Sequence, residues 1–328
     1  RKEFYMYYLK QGAAFLSIYA EDPELMKDVD PGRLARQQKA NNMALKEYRE
    51  QLMADKIVWS LVSVPIPAWA KKVFPDLPAE QAMEKLAEAI LKAVRVNEDD
   101  PVAAWEQHKQ NLKRRVDFLN TKRFKTLHFK NSLGTDLRIE LPEDHIWIGG
   151  SSYTPEGIEF ISNMPTEEVY TLPKKTGVNG RVVSSMPLNY NGNLIEDFTL
   201  TFENGRVTQY SAAKGLETLK NLLETDEGAR YLGEVALVPY NSPLSQSKIL
   251  FYNTLFDENA SCHLALGKAY PTSVKNGENL TAEELKLIGV NDSLVHEDFM
   301  IGTEDLEIIG WTFDGEEIPI FKQGNFAF

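Results

Sequence analysis

Hydrophobic and polar positions follow two different patterns along this chain of 328 residues. In the first part, short apolar runs at residues 13–20 and 57–65 predict buried strands. Three longer stretches have helical periodicity: residues 33–56, 79–95 and 102–122. Strands that alternate with helices are typical of an α/β layer. The pattern therefore predicts an N-terminal α/β domain, residues 1–125.

From about residue 126, short β segments follow one another, separated by turn dipeptides. An asparagine or aspartate precedes glycine at Asn179, Asn191, Asn204, Asn276 and Asp314. These dipeptides supply the positive φ angles that two-residue hairpins require. Residues 126–328 are therefore predicted to form an α+β domain built mainly of antiparallel sheet.

Two helices are expected within this second part. The first, near residues 211–226, would turn four leucines inward: Leu216, Leu219, Leu222 and Leu223. The second, near Thr281–Leu287, has the spacing of a capping box, with Glu284 three residues after Thr281.

Composition limits the classes of function. The net charge is −12, and most of the acidic excess lies in the C-terminal part, which disfavours nucleic acid as a partner and favours divalent cations. The sequence contains no apolar run long enough to span a membrane and opens with no signal peptide. One cysteine, Cys262, cannot form an internal disulfide. A cytoplasmic location is therefore expected. The acidic excess has an alternative explanation, because surplus carboxylates can serve only to keep the surface soluble.

Candidate metal ligands recur through the acidic part: Glu168, Glu234, Glu258, His263, His296 and Asp298. Oxygen and imidazole ligands without thiolates suit a hydrolytic site with two divalent cations better than a structural zinc site. The other histidines, His108, His128 and His145, are interpreted as structural or exposed.

Local patterns refine these candidates without deciding them. Glu167 and Glu168 open an extended run, so they must point to opposite faces, and only one can line a site. Glu234 precedes a strand-like apolar run, where a carboxylate is costly to bury without a cation, but it could also lie at a strand edge in water. A lone histidine next to apolar and small residues, as His263 is, is more often a hydrogen-bonded core residue than a ligand. His296 and Asp298 would share one face of a strand, although such a pair also occurs in many loops.

Four segments carry a family resemblance. They are WIGGSSYTPEGIEFISNMPTEEVYTLP, LGEVALVP, FDENASCHLALGKAYP and HEDFMIG, in this order. They resemble the successive motifs of the thermophilic-type metalloaminopeptidases, which include aminopeptidase T, aminopeptidase S and PepS. The resemblance implies a metal-dependent aminopeptidase that releases N-terminal amino acids from peptides through a two-metal-activated water, with zinc, cobalt or magnesium as the two cations. It also implies a homodimer with an enclosed site, and an N-terminal α/β region that is incomplete at its start.

The resemblance assigns roles to individual residues. Glu234 would be the carboxylate shared by the two cations, and Tyr270 a catalytic residue that hydrogen-bonds the substrate or the tetrahedral intermediate. The remaining ligands would be Glu168, Glu258, His263, His296 and Asp298. For the proton shuttle to the leaving amine, Glu258 is the first choice and Glu167 the second.

Two alternative functions stay open at this point. A two-metal phosphoesterase would use similar ligands, but it needs basic residues to hold phosphate, and only Lys268 lies near the ligand segments. A non-catalytic peptide-binding relative would keep the fold without turnover. The expected partners are peptides with a free N-terminus rather than nucleic acid or membrane.

Overall fold

The structure, a computed structural model, describes residues 2–328. Its α-helices are Lys2–Lys10 (α1), Pro31–Ala44 (α2), Lys46–Met53 (α3), Pro67–Val73 (α4), Ala79–Ala93 (α5), Pro101–Lys122 (α6), Leu216–Leu223 (α7), Pro243–Ser247 (α8), Thr254–Glu258 (α9) and Ala282–Leu287 (α10). Short 3₁₀ turns occupy Gly228–Arg230, Pro271–Ser273 and Gly277–Asn279.

Most strands follow α6. The strands are Phe15–Tyr19 (β1), Trp59–Ser63 (β2), Phe124–Lys130 (β3), Asp136–Glu140 (β4), Ser152–Tyr153 (β5), Glu159–Phe160 (β6), Val169–Thr171 (β7), Val178–Val183 (β8), Leu188–Tyr190 (β9), Asn193–Ile195 (β10), Thr199–Glu203 (β11), Arg206–Ser211 (β12), Leu232–Leu237 (β13), His263–Gly267 (β14), His296–Met300 (β15), Glu307–Thr312 (β16), Glu317–Lys322 (β17) and Asn325–Phe326 (β18).

Two antiparallel sheets dominate the second part of the chain. The larger has eight strands in the order β12-β11-β8-β4-β3-β16-β17-β18, and the smaller has four in the order β15-β14-β13-β7. Side chains of both sheets share one buried apolar core, which also receives Leu112 and Leu119 of α6. The prediction of a mainly antiparallel α+β region is confirmed.

The first part contains one parallel pair, β1 with β2, among its helices. Both apolar runs are strands, as predicted, but the expectation that they are buried is wrong for β1, and β2 is half-buried except at Ser63. Leu16 and Ile18 are 66% and 60% exposed, because the described residues form only this two-stranded sheet here and leave β1 uncovered on most of its length.

The helix predictions are confirmed with two differences. The predicted helix at residues 33–56 is divided at Leu45 into α2 and α3. In α7 three of the four leucines are buried, but Leu216 is 48% exposed because it lies in the first turn, directly after the helix begins. The capping box of Thr281 and Glu284 at the start of α10 is present.

Three of the five turn dipeptides close hairpins as predicted. Those at Asn191, Asn204 and Asp314 join β9 to β10, β11 to β12 and β16 to β17. Asn179-Gly180 instead lies inside β8, where the backbone oxygen of Asp136 approaches too closely for a side chain at Gly180. Asn276-Gly277 begins a 3₁₀ turn rather than a hairpin.

Helix α6 connects the two parts of the chain. It precedes β3 directly, and its leucines belong to the core of the second part. The boundary near residue 125 stays a prediction. Among the described residues, no helix is both long enough and apolar enough to cross a membrane.

Candidate metal centre

The four-stranded sheet gathers the candidate ligands on one face. Glu234 on β13 and Asp298 on β15 both lie directly opposite Ala265 on β14. Directly opposed residues of an antiparallel sheet project to the same side. Residues two positions away share that side as well, which adds His263 and His296 to the same face.

Glu168 reaches this face from the edge of the sheet. Tyr170 on β7 lies opposite Ala236, which in turn lies opposite His263. Glu168, two residues before Tyr170, therefore projects to the same side. Its Oε2 is 2.9 Å from His263 Nε2. The alternation that placed Glu167 and Glu168 on opposite faces is confirmed.

Backbone carbonyls fix the orientation of both imidazoles. His263 Nδ1 lies 3.0 Å from the Ser261 carbonyl oxygen, and His296 Nδ1 lies 2.7 Å from that of Lys268. In the neutral ring, each Nδ1–H donates to its carbonyl, and each Nε2 then presents its lone pair to the carboxylates. His296 Nε2 is 3.7 Å from Glu234 Oε2 and 3.5 Å from Asp298 Oδ1.

In this arrangement, the imidazole Nε2 atoms and the carboxylate oxygens, which are all hydrogen-bond acceptors, face one another. With neutral rings, no hydrogen lies between the two Nε2 atoms and the surrounding carboxylates, and Glu168 Oε2 and Asp298 Oδ1 are buried without a hydrogen-bond donor among the described residues. Buried acceptors of this kind need a cation between them. The donor set therefore fits divalent metal, in two overlapping groups: Glu168, Glu234 and His263, and Glu234, His296 and Asp298.

Glu258 and Tyr270 complete the surroundings. Glu258 is the last residue of α9 and is buried. The Tyr270 ring packs edge-on against His296, with ring centroids 5.0 Å apart. Both line a cavity of about 460 Å³ together with the five ligand candidates from the sheet. The six predicted metal ligands and Tyr270 thus line one cavity.

The electrostatics of the site favour a bound cation. Burial raises the pKa of Glu234 to about 7, although a hydrogen bond from His263 opposes the shift. Burial and the charge of Asp298 raise the pKa of Glu258 well above its usual range. A divalent cation would stabilise these carboxylates in their ionised form.

The same carboxylates raise the pKa values of His263 and His296. Burial alone would lower the pKa of His263, but Glu168 and Glu234 raise it well above its usual value. For His296, the charges of Asp298 and Glu234 likewise outweigh burial and raise the pKa to about 10. In the absence of a cation the site would bind protons in its place.

Glu167 lies outside this site. Its carboxylate accepts a hydrogen bond from Arg95 Nη2 at 2.5 Å, in a buried ion pair. His108 Nε2 donates to the carbonyl oxygen of Thr166 at 2.7 Å, which anchors the same segment to α6. The backbone N–H of Glu167 donates to Asn259 Oδ1 at 2.7 Å. These contacts hold the segment that carries Glu168, and of the two carboxylates considered for the proton shuttle only Glu258 lines the cavity.

The remaining cysteine and histidines have structural partners. Cys262 lies on the opposite face from His263, and burial raises the pKa of its thiol to about 12. His128 contacts Asp136 Oδ1 at 2.6 Å, and His145 Nδ1 contacts the Pro142 carbonyl oxygen at 2.7 Å. The structural interpretation of His108, His128 and His145 agrees with these positions, and none is exposed.

Of the cavity residues that were not predicted, two bear on its chemistry. Tyr170 lines it beside Tyr270, with ring centroids 5.9 Å apart, and its spacing of two from Glu168 was a usable signal. Asp55 lines it from the first part of the chain, and nothing in its local sequence indicates a site because the helical pattern runs through it.

The chain matches a known protein family over nearly its whole length. Residues 1–326 match the family described as thermophilic metalloprotease (M29). Aminopeptidase 2 of Geobacillus stearothermophilus is 57% identical over 97% of this chain and 77% of its own length. Aminopeptidase AmpS of Bacillus subtilis is 54% identical over 97% of this chain and 78% of its own length. The chain belongs to the thermophilic metalloprotease family.

A solved structure of this family has the same fold. Wild-type AmpT from Thermus thermophilus matches with a TM-score of 0.92 at 41% identity, over 100% of this chain and 79% of that one. The sequence-based resemblance is confirmed, and so is the predicted function. The protein is a metal-dependent aminopeptidase, a hydrolase of the thermophilic metalloprotease family.

Proposed function

We propose that the enzyme binds two divalent cations, zinc, cobalt or magnesium, and that Glu234 is shared between them. Glu168 and His263 would complete one site, and His296 and Asp298 the other, with Glu258 joining the metal shell. The observation that carries this proposal is the pair of overlapping donor groups, in which Glu234 is the common member. Two cations that share a carboxylate are typical of hydrolytic sites.

The bound cations would supply an activated water and polarise the scissile carbonyl. Side chains of the protein would stabilise the oxyanion and transfer the proton. Tyr270 would donate a hydrogen bond to the developing oxyanion, and burial, with the charge of Glu234, raises the pKa of its hydroxyl well above its usual value, so that it keeps its proton. Glu258, a carboxylate that lines the cavity and belongs to neither donor group, would carry a proton to the leaving amine.

The substrate class follows from the cavity. Among the described residues that line it there is neither lysine nor arginine, so it offers nothing basic to hold a phosphate ester. Its carboxylates suit the free ammonium group of a peptide N-terminus. A phosphoesterase is therefore disfavoured, and a peptide-binding protein without turnover would not account for the complete donor set.

A panel of aminoacyl-nitroanilides tests this function. We expect cleavage of free-amine substrates but not of an N-acetylated control, loss of activity after chelation, and recovery with zinc, cobalt or magnesium. Absence of cleavage with every metal would contradict the proposed function. A phosphate ester assayed in parallel should remain intact.

We further propose a homodimer that works in the cytoplasm. The buried single thiol of Cys262 is compatible with a reducing compartment. Sedimentation velocity of the enzyme should give twice the mass of the 37.2 kDa chain, and a monomer at micromolar concentration would refute the dimer.

A further inference from the structure

Asp55 is a carboxylate of the cavity that the metal site does not use. It comes from the first part of the chain, just after α3, and has a left-handed backbone with φ of 51°. Its backbone N–H donates to the Leu52 carbonyl oxygen at 3.0 Å, which fixes its position at the end of the helix. The side chain belongs to the cavity lining.

No protein cation neutralises Asp55. In residues 2–328 it forms no ion pair, and none of the described residues around the cavity is a lysine or an arginine. Burial raises the pKa of Asp55 to about 6, against a hydrogen bond from Ser152. At neutral pH a half-buried negative charge therefore faces the cavity, and burying such a charge without a partner is costly. A cation from the substrate would remove that cost.

Asp55 is separated from the metal ligands. It belongs to neither group of donor atoms that lie within 4.8 Å of one another, and it follows α3 rather than coming from the four-stranded sheet. The α-ammonium group of a substrate is attached next to the scissile carbonyl and must stay close to the metal site. A cation that reaches Asp55 has to be at the end of a longer group.

The first part of the chain also contributes apolar residues to the cavity. Leu52, Met53, Trp59 and Leu61 line it together with Asp55. Apolar walls with a carboxylate match a side chain that has an aliphatic stem and a cationic end. Trp59 adds an aromatic surface that favours a guanidinium or ammonium group.

We propose that Asp55 forms a subsite for the basic side chain of an N-terminal lysine or arginine, and that it determines specificity for such peptides. This inference rests on the proposed aminopeptidase function. The chain itself would bind the aliphatic stem along the apolar wall and the charged end at Asp55, while the α-ammonium group and the scissile bond lie at the metal site.

Lysyl- and norleucyl-nitroanilide are the matched substrates, because they share the stem and differ in the terminal ammonium group. In the metal-loaded enzyme we expect kcat/KM to be higher for the lysyl substrate. Asp55→Asn should lower the lysyl-to-norleucyl ratio of kcat/KM by about 10- to 100-fold, the range expected for loss of one charged hydrogen-bonded pair. Asparagine tolerates the left-handed backbone, so this variant should fold.

Asp197→Asn is the control variant. Asp197 is exposed, lies outside the cavity lining and has a similar left-handed backbone, with φ of 49°. It should leave the ratio unchanged. An unchanged ratio in Asp55→Asn would overturn the proposal; an equal loss for both substrates would do so as well, because Asp55 would then act on the shared α-ammonium group.

Binding separates this inference from the aminopeptidase function. If the wild type cleaves neither substrate, calorimetry with L-lysine and L-norleucine still tests Asp55. Tighter binding of lysine that disappears in Asp55→Asn supports the subsite, and equal binding of the two amino acids to the wild type refutes it.

Discussion

At the scale of single residues, the two imidazoles explain why the site binds metal. Each donates Nδ1–H to a backbone carbonyl and turns Nε2 toward carboxylates. This tautomer could not be predicted from the sequence, because the Ser261 and Lys268 carbonyls that fix it belong to the folded backbone. The ligand types themselves were predictable from the resemblance and from the alternation of residues along strands.

Metal binding should strengthen as the pH rises. The raised pKa values, about 7 for Glu234 and about 10 for His296, mean that the empty site holds protons that a cation must displace. Protons therefore compete less with the cation as the pH rises from 6 to 9, and the apparent Kd for the metal should fall over that interval. Calorimetry in buffers of different ionisation enthalpy would measure the released protons, and a Kd independent of pH would contradict this description.

At the scale of elements, β14 provides the floor of the site. Ala265 is buried between Glu234 and Asp298, and its methyl group leaves room above the sheet. Ala265→Val should lower metal affinity by at least about 10-fold, because added methyl groups must move the ligands. Ala229→Val, at another fully buried alanine, is the control and should reduce stability without changing metal content. Equal metal content in both variants would refute the role of Ala265.

Asn259 joins the two ligand segments. Its Oδ1 accepts from the backbone of Glu167, and its Nδ2 donates to the Leu255 carbonyl oxygen at 2.8 Å within α9. Asn259→Ala should weaken metal binding by about 10- to 100-fold, as is usual when the support of a ligand is removed. Its control is Asn120→Ala, which removes two comparable hydrogen bonds to Trp147, a residue that does not line the cavity. If the two variants bind metal equally well, Asn259 has no such role.

At the scale of the whole molecule, the cavity draws on both parts of the chain. The acidic second part supplies the metal ligands, and the first part supplies the apolar wall and Asp55. The sequence predicted the sheet type of the second part, because hydrophobic periodicity and turn dipeptides are local signals. The division into two regions stays a prediction. The sequence did not predict the exposure of Leu16 or the position of Asp55, since both depend on packing between distant segments.

His108 connects α6 to the segment before β7, and its protonation should affect stability. Burial and the charge of Arg95 lower the pKa of His108 to about 4, so the folded state keeps the ring neutral. As the pH falls below the unfolded value of about 6.5, the unfolded state gains a proton first. Stability should therefore decrease from about pH 6.5 to pH 4, by at most about 3 kcal/mol. Urea unfolding should show a shallower pH dependence for His108→Gln, and parallel curves would contradict this assignment.

Metal stoichiometry of the purified enzyme and of Glu234→Gln tests the central claim most directly. Mass spectrometry of the metal-loaded wild type should give two divalent ions per chain, and turnover of an aminoacyl-nitroanilide should require them. Because Glu234 is common to both donor groups, Glu234→Gln should lose the bound metal and the turnover together. A variant that keeps two ions and normal activity would contradict the shared role of Glu234 and, with it, the dinuclear site.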